Sequence, residues 1–316
     1  MDEDTLQVMN LSPPLPSDCS CRLLSNLPTP TCSDFAFLSE DLSLVSTFVH
    51  DDCLKKIIQL KNYQNEILEQ QFDFDSPSIH SKTAVDFYEK VLNANPTLLE
   101  WLHTGYLPEF KYTPPPYEER NNKSASDKPD IVDDIVWDWE REGKVERVDK
   151  EQLTCVNPLS LISKTTAEGQ TKHRLCLDLS RNVNKATVDF KCKLDMISET
   201  ILLLDNDAYM ASFDLKSMYC QIRLHPSVCK YFGFKIKVGS EWQYFQYKVL
   251  PFGLAPAVFV ANFFTRPIKA YLQQKGVNMS VYIDDTFTSN SCPVVCLYQT
   301  KFFKGKYEVH TSECTD

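Results

Sequence analysis

Ser280-Val281-Tyr282-Ile283-Asp284-Asp285-Thr286-Phe287-Thr288 places two adjacent carboxylates between short runs of strand-forming residues. Such a stretch predicts a β-hairpin whose turn presents Asp284 and Asp285 at an exposed tip. Upstream, Ser212-Phe213-Asp214-Leu215 supplies a second strand with an acid. Hard divalent cations prefer oxygen ligands, and two of them about 3.5–4 Å apart clamp both the attacking and the leaving oxygen of a phosphoryl transfer. Asp214 and Asp284 are suited to bridge such a pair. An Asp-Asp pair is also ordinary turn chemistry, so the decision falls to the rest of the chain.

The 316 residues, 43% hydrophobic and 12% aromatic, suffice for a core of two or three domains. No apolar run reaches the roughly 18 residues of a membrane span, and acids stand in the first 30 residues where a signal peptide needs basic and apolar ones. This predicts an intracellular protein, in cytoplasm or nucleus. Of the 12 cysteines, Cys155, Cys176, Cys192, Cys220 and Cys229 fall inside apolar segments, which suits reduced thiols packed as small hydrophobes. A net charge of −10 argues against a polyanion partner. The charge is uneven, however: residues 1–150 hold 28 acids against 14 Lys or Arg, and residues 151–316 hold 15 against 19. Only the second half suits nucleic acid, provided that its cations cluster on one groove.

Residues 1–45 mix Ser, Pro, Leu, Cys and Asp without a period and are expected to be a disordered tail. Residues 46–112 carry helical spacing over Asp52–Phe72 and Thr83–His103. Pro114-Pro115-Pro116 marks 113–128 as an extended linker. From Pro129, a first-turn proline, a helix runs to Glu142 before Gly143 stops it. Strands follow: Leu159–Ile162 and Arg174–Leu179 as a hairpin, the Asp214 strand, the pair Phe232–Val238 and Trp242–Val249, and, after a helix Pro256–Leu272, the acidic hairpin.

The run Ser212–Tyr219, then Leu250-Pro251-Phe252-Gly253-Leu254, then Tyr282-Ile283-Asp284-Asp285 resembles, in order and spacing, the successive motifs of a retroelement reverse transcriptase. Val156-Asn157-Pro158-Leu159, Arg174–Lys185 and Trp101-Leu102-His103-Thr104-Gly105-Tyr106 extend the resemblance and make it most similar to DIRS-like tyrosine-recombinase retrotransposons. The resemblance implies an α+β fold, with fingers and an antiparallel palm sheet of a right-hand polymerase over 129–290. It implies RNA-directed DNA synthesis from template, primer and deoxynucleoside triphosphates.

On this resemblance Asp214 and Asp284 hold two Mg²⁺ ions, for which Mn²⁺ is a possible substitute, and Asp285 shapes the turn or assists a metal. Tyr219 matches the aromatic gate that excludes a ribose 2′-hydroxyl; a core aromatic is the plain alternative. Arg174 matches the arginine that grips the triphosphate, with Lys172 a second candidate; either could instead be a solvated hairpin charge. Phe252 and Gly253 match the turn against which the template-nucleotide pair packs, where glycine admits close backbone approach; Gly253 could equally be a plain turn glycine.

After Asp285 the family continues into a thumb, whereas from Ser289 this chain departs from its pattern, so 291–316 is expected to be a divergent tail of a truncated element. Cys292, Cys296, His310 and Cys314 come close to structural zinc spacing, which scattered cysteines also produce by accident. A catalytically silent remnant, binding nucleic acid or protein, is the competing expectation.

Overall fold

The computed structural model describes residues 51–69, 78–166, 169–204, 209–215, 217–292, 295, 296 and 299. The expected tail 1–45 and most of 291–316 lie outside them. In chain order the helices and strands begin with α1 (Asp51–Glu69), α2 (Lys82–Lys90), α3 (Pro96–Thr104), β1 (Tyr117–Glu118), α4 (Lys123–Ser126), α5 (Pro129–Arg141), β2 (Val145–Val148) and β3 (Cys155–Val156). Next come β4 (Leu159–Thr165), β5 (Thr171–Leu177), α6 (Val183–Ala186), α7 (Ile197–Ile201), β6 (Tyr209–Asp214) and α8 (Met218–Gln221). β7 (Gly233–Val238), β8 (Glu241–Tyr247), α9 (Ala257–Gln274), β9 (Met279–Tyr282) and β10 (Asp285–Asn290) complete the α+β set.

The chain divides into two compact units, both discontinuous in sequence: one takes residues 1–94, 193–216 and 262–316, the other 95–192 and 217–261. In the first, β6, β10 and β9 form a three-stranded antiparallel sheet with β10 in the middle. Met279 and Val281 of β9 are buried. In α2, Val85, Phe87 and Tyr88 are buried on one side. The Tyr88 hydroxyl donates to the Phe264 carbonyl at 2.9 Å and Phe87 meets Tyr271 edge-on, which ties α2 to α9. The helical pattern read over Thr83–His103 is two helices: Asn93 turns to φ +47, and Asn95 caps α3 by accepting from the Thr97 N–H at 2.8 Å, with Pro96 in the first turn.

In the second unit the sheet order is β1-β3-β7-β8-β2, with two parallel pairings, β1–β3 and β3–β7, that the sequence pattern did not announce. α5 covers this sheet: Trp137 packs edge-on against Phe245, and Trp139 against Phe234. Stretch 113–128 is more than a linker. Its prolines lie outside helix and strand, but β1 pairs with β3, the Asn121 carboxamide oxygen accepts from the Leu159 N–H at 3.0 Å, and Ala125 of α4 is buried. These pairings join residues almost forty positions apart, so no local pattern marks them. β4 and β5 form the expected hairpin, register Leu159 with Leu177.

Gly233 sits where β7 crosses β3, and a Cβ there would lie 2.6 Å from the Cys155 carbonyl oxygen. Backbone cannot yield as a flexible side chain does. Gly233→Ala is expected to destabilise the fold by about 2 kcal/mol, read as a lower urea midpoint with an unchanged slope.

Candidate catalytic carboxylate centre and nucleotide-contact residues

β9 and β10 are joined by the two-residue turn Ile283-Asp284, because Tyr282 pairs directly with Asp285. The turn thus begins one residue earlier than the sequence reading placed it, and Asp285 is the first residue of β10 rather than part of the tip. Two-residue hairpins need φ above zero at the first turn position, which normally selects glycine. Here Ile283 adopts φ +60. A β-branched residue in that region costs of order 1–3 kcal/mol and persists only where its surroundings hold it.

The neighbours that hold it are specific. Asp214 ends β6 directly opposite Asp285, and the Leu215 N–H donates to the Asp284 carbonyl at 2.9 Å, clipping the turn to the strand beside it. β9 is the sheet edge, and Asp195 closes its outer side. One oxygen of that carboxylate accepts from the Val281 N–H at 2.9 Å and the Ser280 hydroxyl at 3.0 Å, and pairs with Lys269 of α9. The Ser280 hydroxyl is also within 2.8 Å of Thr200 Oγ1. Burial raises the Asp195 carboxyl, but the hydrogen bonds from Lys269, Val281 and Ser280 and the lysine charge outweigh it and hold the group below the usual carboxylate range.

The turn brings Asp214, Asp284 and Asp285 together, with one oxygen from each inside a span of 4.8 Å. They are the only such potential metal-ligating group among the described residues. Burial, then the charge of Asp214, pushes the Asp285 carboxyl up. Three hard oxygen donors at that spacing, repelling one another, fit a divalent cation.

The other five candidates lie in the second unit. The Arg174 guanidinium stands 5.4 Å from the Phe252 ring centroid, and Tyr219 meets the same ring edge-on at 4.9 Å. Phe252 is therefore the common support of both. Gly253 has φ +109, and a Cβ there would overlap the Leu177 carbonyl oxygen. The Asn184 carboxamide fixes this turn by donating to the Gly253 carbonyl at 2.8 Å and accepting from the Ala255 N–H at 2.9 Å. Lys172 is exposed on β5, directly opposite Lys164 and on the same side of the hairpin as Arg174. Of the zinc-like set, Cys292 and Cys296 are buried, with the Cys296 thiol pushed up to about 12 by burial. His310 and Cys314 lie outside the described residues.

Residues 162–295 match the family model for reverse transcriptase (RNA-dependent DNA polymerase). The chain is 29% identical over 137 residues to the enzymatic polyprotein of Figwort mosaic virus (strain DxS), covering 43% of this chain and 19% of the viral protein. It is 28% identical over 148 residues to the putative enzymatic polyprotein of Cassava vein mosaic virus, covering 46% and 21%. The chain thus spans about a fifth of the length of these relatives. The matched segment contains Asp214, Asp284 and Asp285 and also Lys172, Arg174, Tyr219, Phe252 and Gly253. No helix among the described residues is long and apolar enough to cross a membrane.

Sequence reasoning did not single out Asp195, Lys269 or Asn184: Asp195 and Asn184 act on backbone groups, and Lys269 acts on the Asp195 carboxylate. Asp195→Ala strands Lys269 and the Val281 N–H and is expected to cost about 2 kcal/mol at neutral pH. Because the folded carboxyl is depressed, its stabilisation is full above the unfolded value near 3.9 and is lost as pH falls through the folded value. The gap between parent and Asp195→Ala in chemical denaturation should therefore narrow in acid. Asp285→Asn has the opposite sign. It relieves repulsion by Asp214, so the metal-free protein should melt higher, while stabilisation by added Mn²⁺ should shrink.

Proposed function

We propose that this chain is the RNA-directed DNA polymerase domain of a retrotransposon, of the DIRS-like type that its motifs resemble. The observation that carries this reading is the Asp214-Asp284-Asp285 cluster within a segment that matches the reverse transcriptase family. On it, the three-stranded sheet serves as palm and the β4–β5 hairpin as part of the fingers. The partners are a primed RNA or DNA template and deoxynucleoside triphosphates, in cytoplasm or nucleus.

Asp214 and Asp284 would hold two Mg²⁺ ions, with Asp285 completing the ligand set and Mn²⁺ able to substitute. Bound there, the ions supply Lewis acidity to the primer 3′-hydroxyl and to the departing pyrophosphate. The chain's own residues do the remaining work. Arg174 grips the triphosphate through a planar fork, its orientation supported by the Phe252 ring, and Lys172 adds a mobile second charge. Tyr219, wedged against Phe252, presents a bulky ring to the sugar and rejects a 2′-hydroxyl by volume. Gly253, where a side chain would run into the Leu177 carbonyl, would offer its backbone to the template-nucleotide pair.

Primer extension on poly(rA)/oligo(dT) tests the reading. The parent is expected to extend in Mg²⁺ and Mn²⁺, and Asp284→Asn to lose more than about 100-fold, beyond the usual cost of disturbing an outer-shell partner. No extension by the folded parent would favour a silent nucleic-acid-binding module. Tyr219→Ala should raise ribonucleotide use relative to deoxynucleotide by about tenfold, measured as the ratio of the two kcat/KM values.

A further inference from the structure

The five-stranded sheet has two unlike faces. Phe234, Ile236, Phe245 and Tyr247 are buried on the side that α5 covers. The alternate residues point the other way, where Lys235 stands opposite Tyr244 and Lys237 opposite Trp242. Lys235 Nζ lies 4.9 Å from the Trp242 ring centroid, and Lys150 Nζ lies 5.8 Å from that of Tyr244. Glu118 of β1 pairs with both lysines, at 2.7 Å from Lys150. One carboxylate thus neutralises one of two cations, and the exposed Lys237 adds another positive charge. Trp242 is 46% exposed in the middle of this charge.

Glu118 and Lys235 also begin an open polar groove of about 530 Å³, walled further on by Arg120, Lys123 and Arg181. Glu119 neutralises Arg181. Arg120 and Lys123 have no ion-pair partner among the described residues.

Cations around an exposed indole disfavour a purely apolar partner, and a duplex keeps its bases stacked on one another. A polymer that offers both phosphates and free base faces is a single strand. We propose that this face is a docking platform for single-stranded nucleic acid, with Trp242 and Tyr244 stacking bases while Lys237, Arg120 and Lys123 meet the backbone phosphates. It rests on the polymerase reading only for the class of polymer the chain handles.

The test is fluorescence anisotropy of a labelled oligouridine RNA and of an RNA duplex of equal length, over a salt series. The parent should prefer the single strand. Trp242→Ala should weaken that binding about tenfold, the scale of one lost base stack, and Trp242→Phe should recover most of it. Lys237→Gln should lower the slope of log affinity on log salt by about 0.7, one phosphate contact. Indifference to both Trp242→Ala and Lys237→Gln, equal affinity for the duplex, or no binding at all would overturn the platform. Trp242-dependent single-strand binding without Asp284-dependent extension would support the platform and remove the polymerase reading. Extension with binding indifferent to both variants would remove the platform alone.

Discussion

Mutual repulsion of three carboxylates is the constraint around which the first unit is built. Asp214, Asp284 and Asp285 bring their oxygens within 4.8 Å of one another, and Asp285 is pushed up in consequence of burial and of Asp214. An unstrained hairpin would place glycine where Ile283 stands at φ +60. The fold accepts both costs locally because the Leu215 N–H holds the turn from one side and Asp195 with Lys269 holds the edge strand from the other. Local instability of this kind, surrounded by firm structure, is characteristic of sites arranged for a ligand rather than for stability.

The second unit sets rings against cations, some buried, such as Tyr219 and Lys235, and some exposed, such as Arg174 and Trp242. Phe252 supports Arg174 on one side and Tyr219 on another, while Asn184 holds the following turn open. Across the sheet, Glu118 braces Lys150 and Lys235 beside two aromatic rings. The chain is acidic overall, yet these cations gather on limited surfaces. Net charge is therefore a poor guide to what the chain binds; the placement of each lysine against its acid is the informative quantity.

Much of the architecture was legible because period and punctuation agree in the sequence. The strands β4 and β5, and α5 between Pro129 and Gly143, were read this way, whereas the acidic hairpin has strand residues but no turn glycine, and its turn was read one residue late. What was not legible depends on long-range pairing. β1 is two residues long and finds its register only against β3, and no local pattern announces a parallel pair. The split between α2 and α3 turns on one positive φ at Asn93. Among candidate site residues, those with a motif were readable. Asp195 was not, since a lone Asp that receives backbone hydrogen bonds looks like any surface polar residue until the fold places it, and Asn184, though inside the Arg174–Lys185 stretch, shows its role only once its carboxamide meets the Gly253–Ala255 turn.

Whether the three carboxylates take divalent cations decides the role of this site. Mn²⁺ titration followed by electron paramagnetic resonance measures this directly, independent of any substrate. Two ions are expected to bind close enough for spin coupling, about 3.5–4 Å apart, with the coupled signal lost in Asp214→Asn and Asp284→Asn. Absence of bound manganese, or binding that survives both substitutions unchanged, would contradict that expectation.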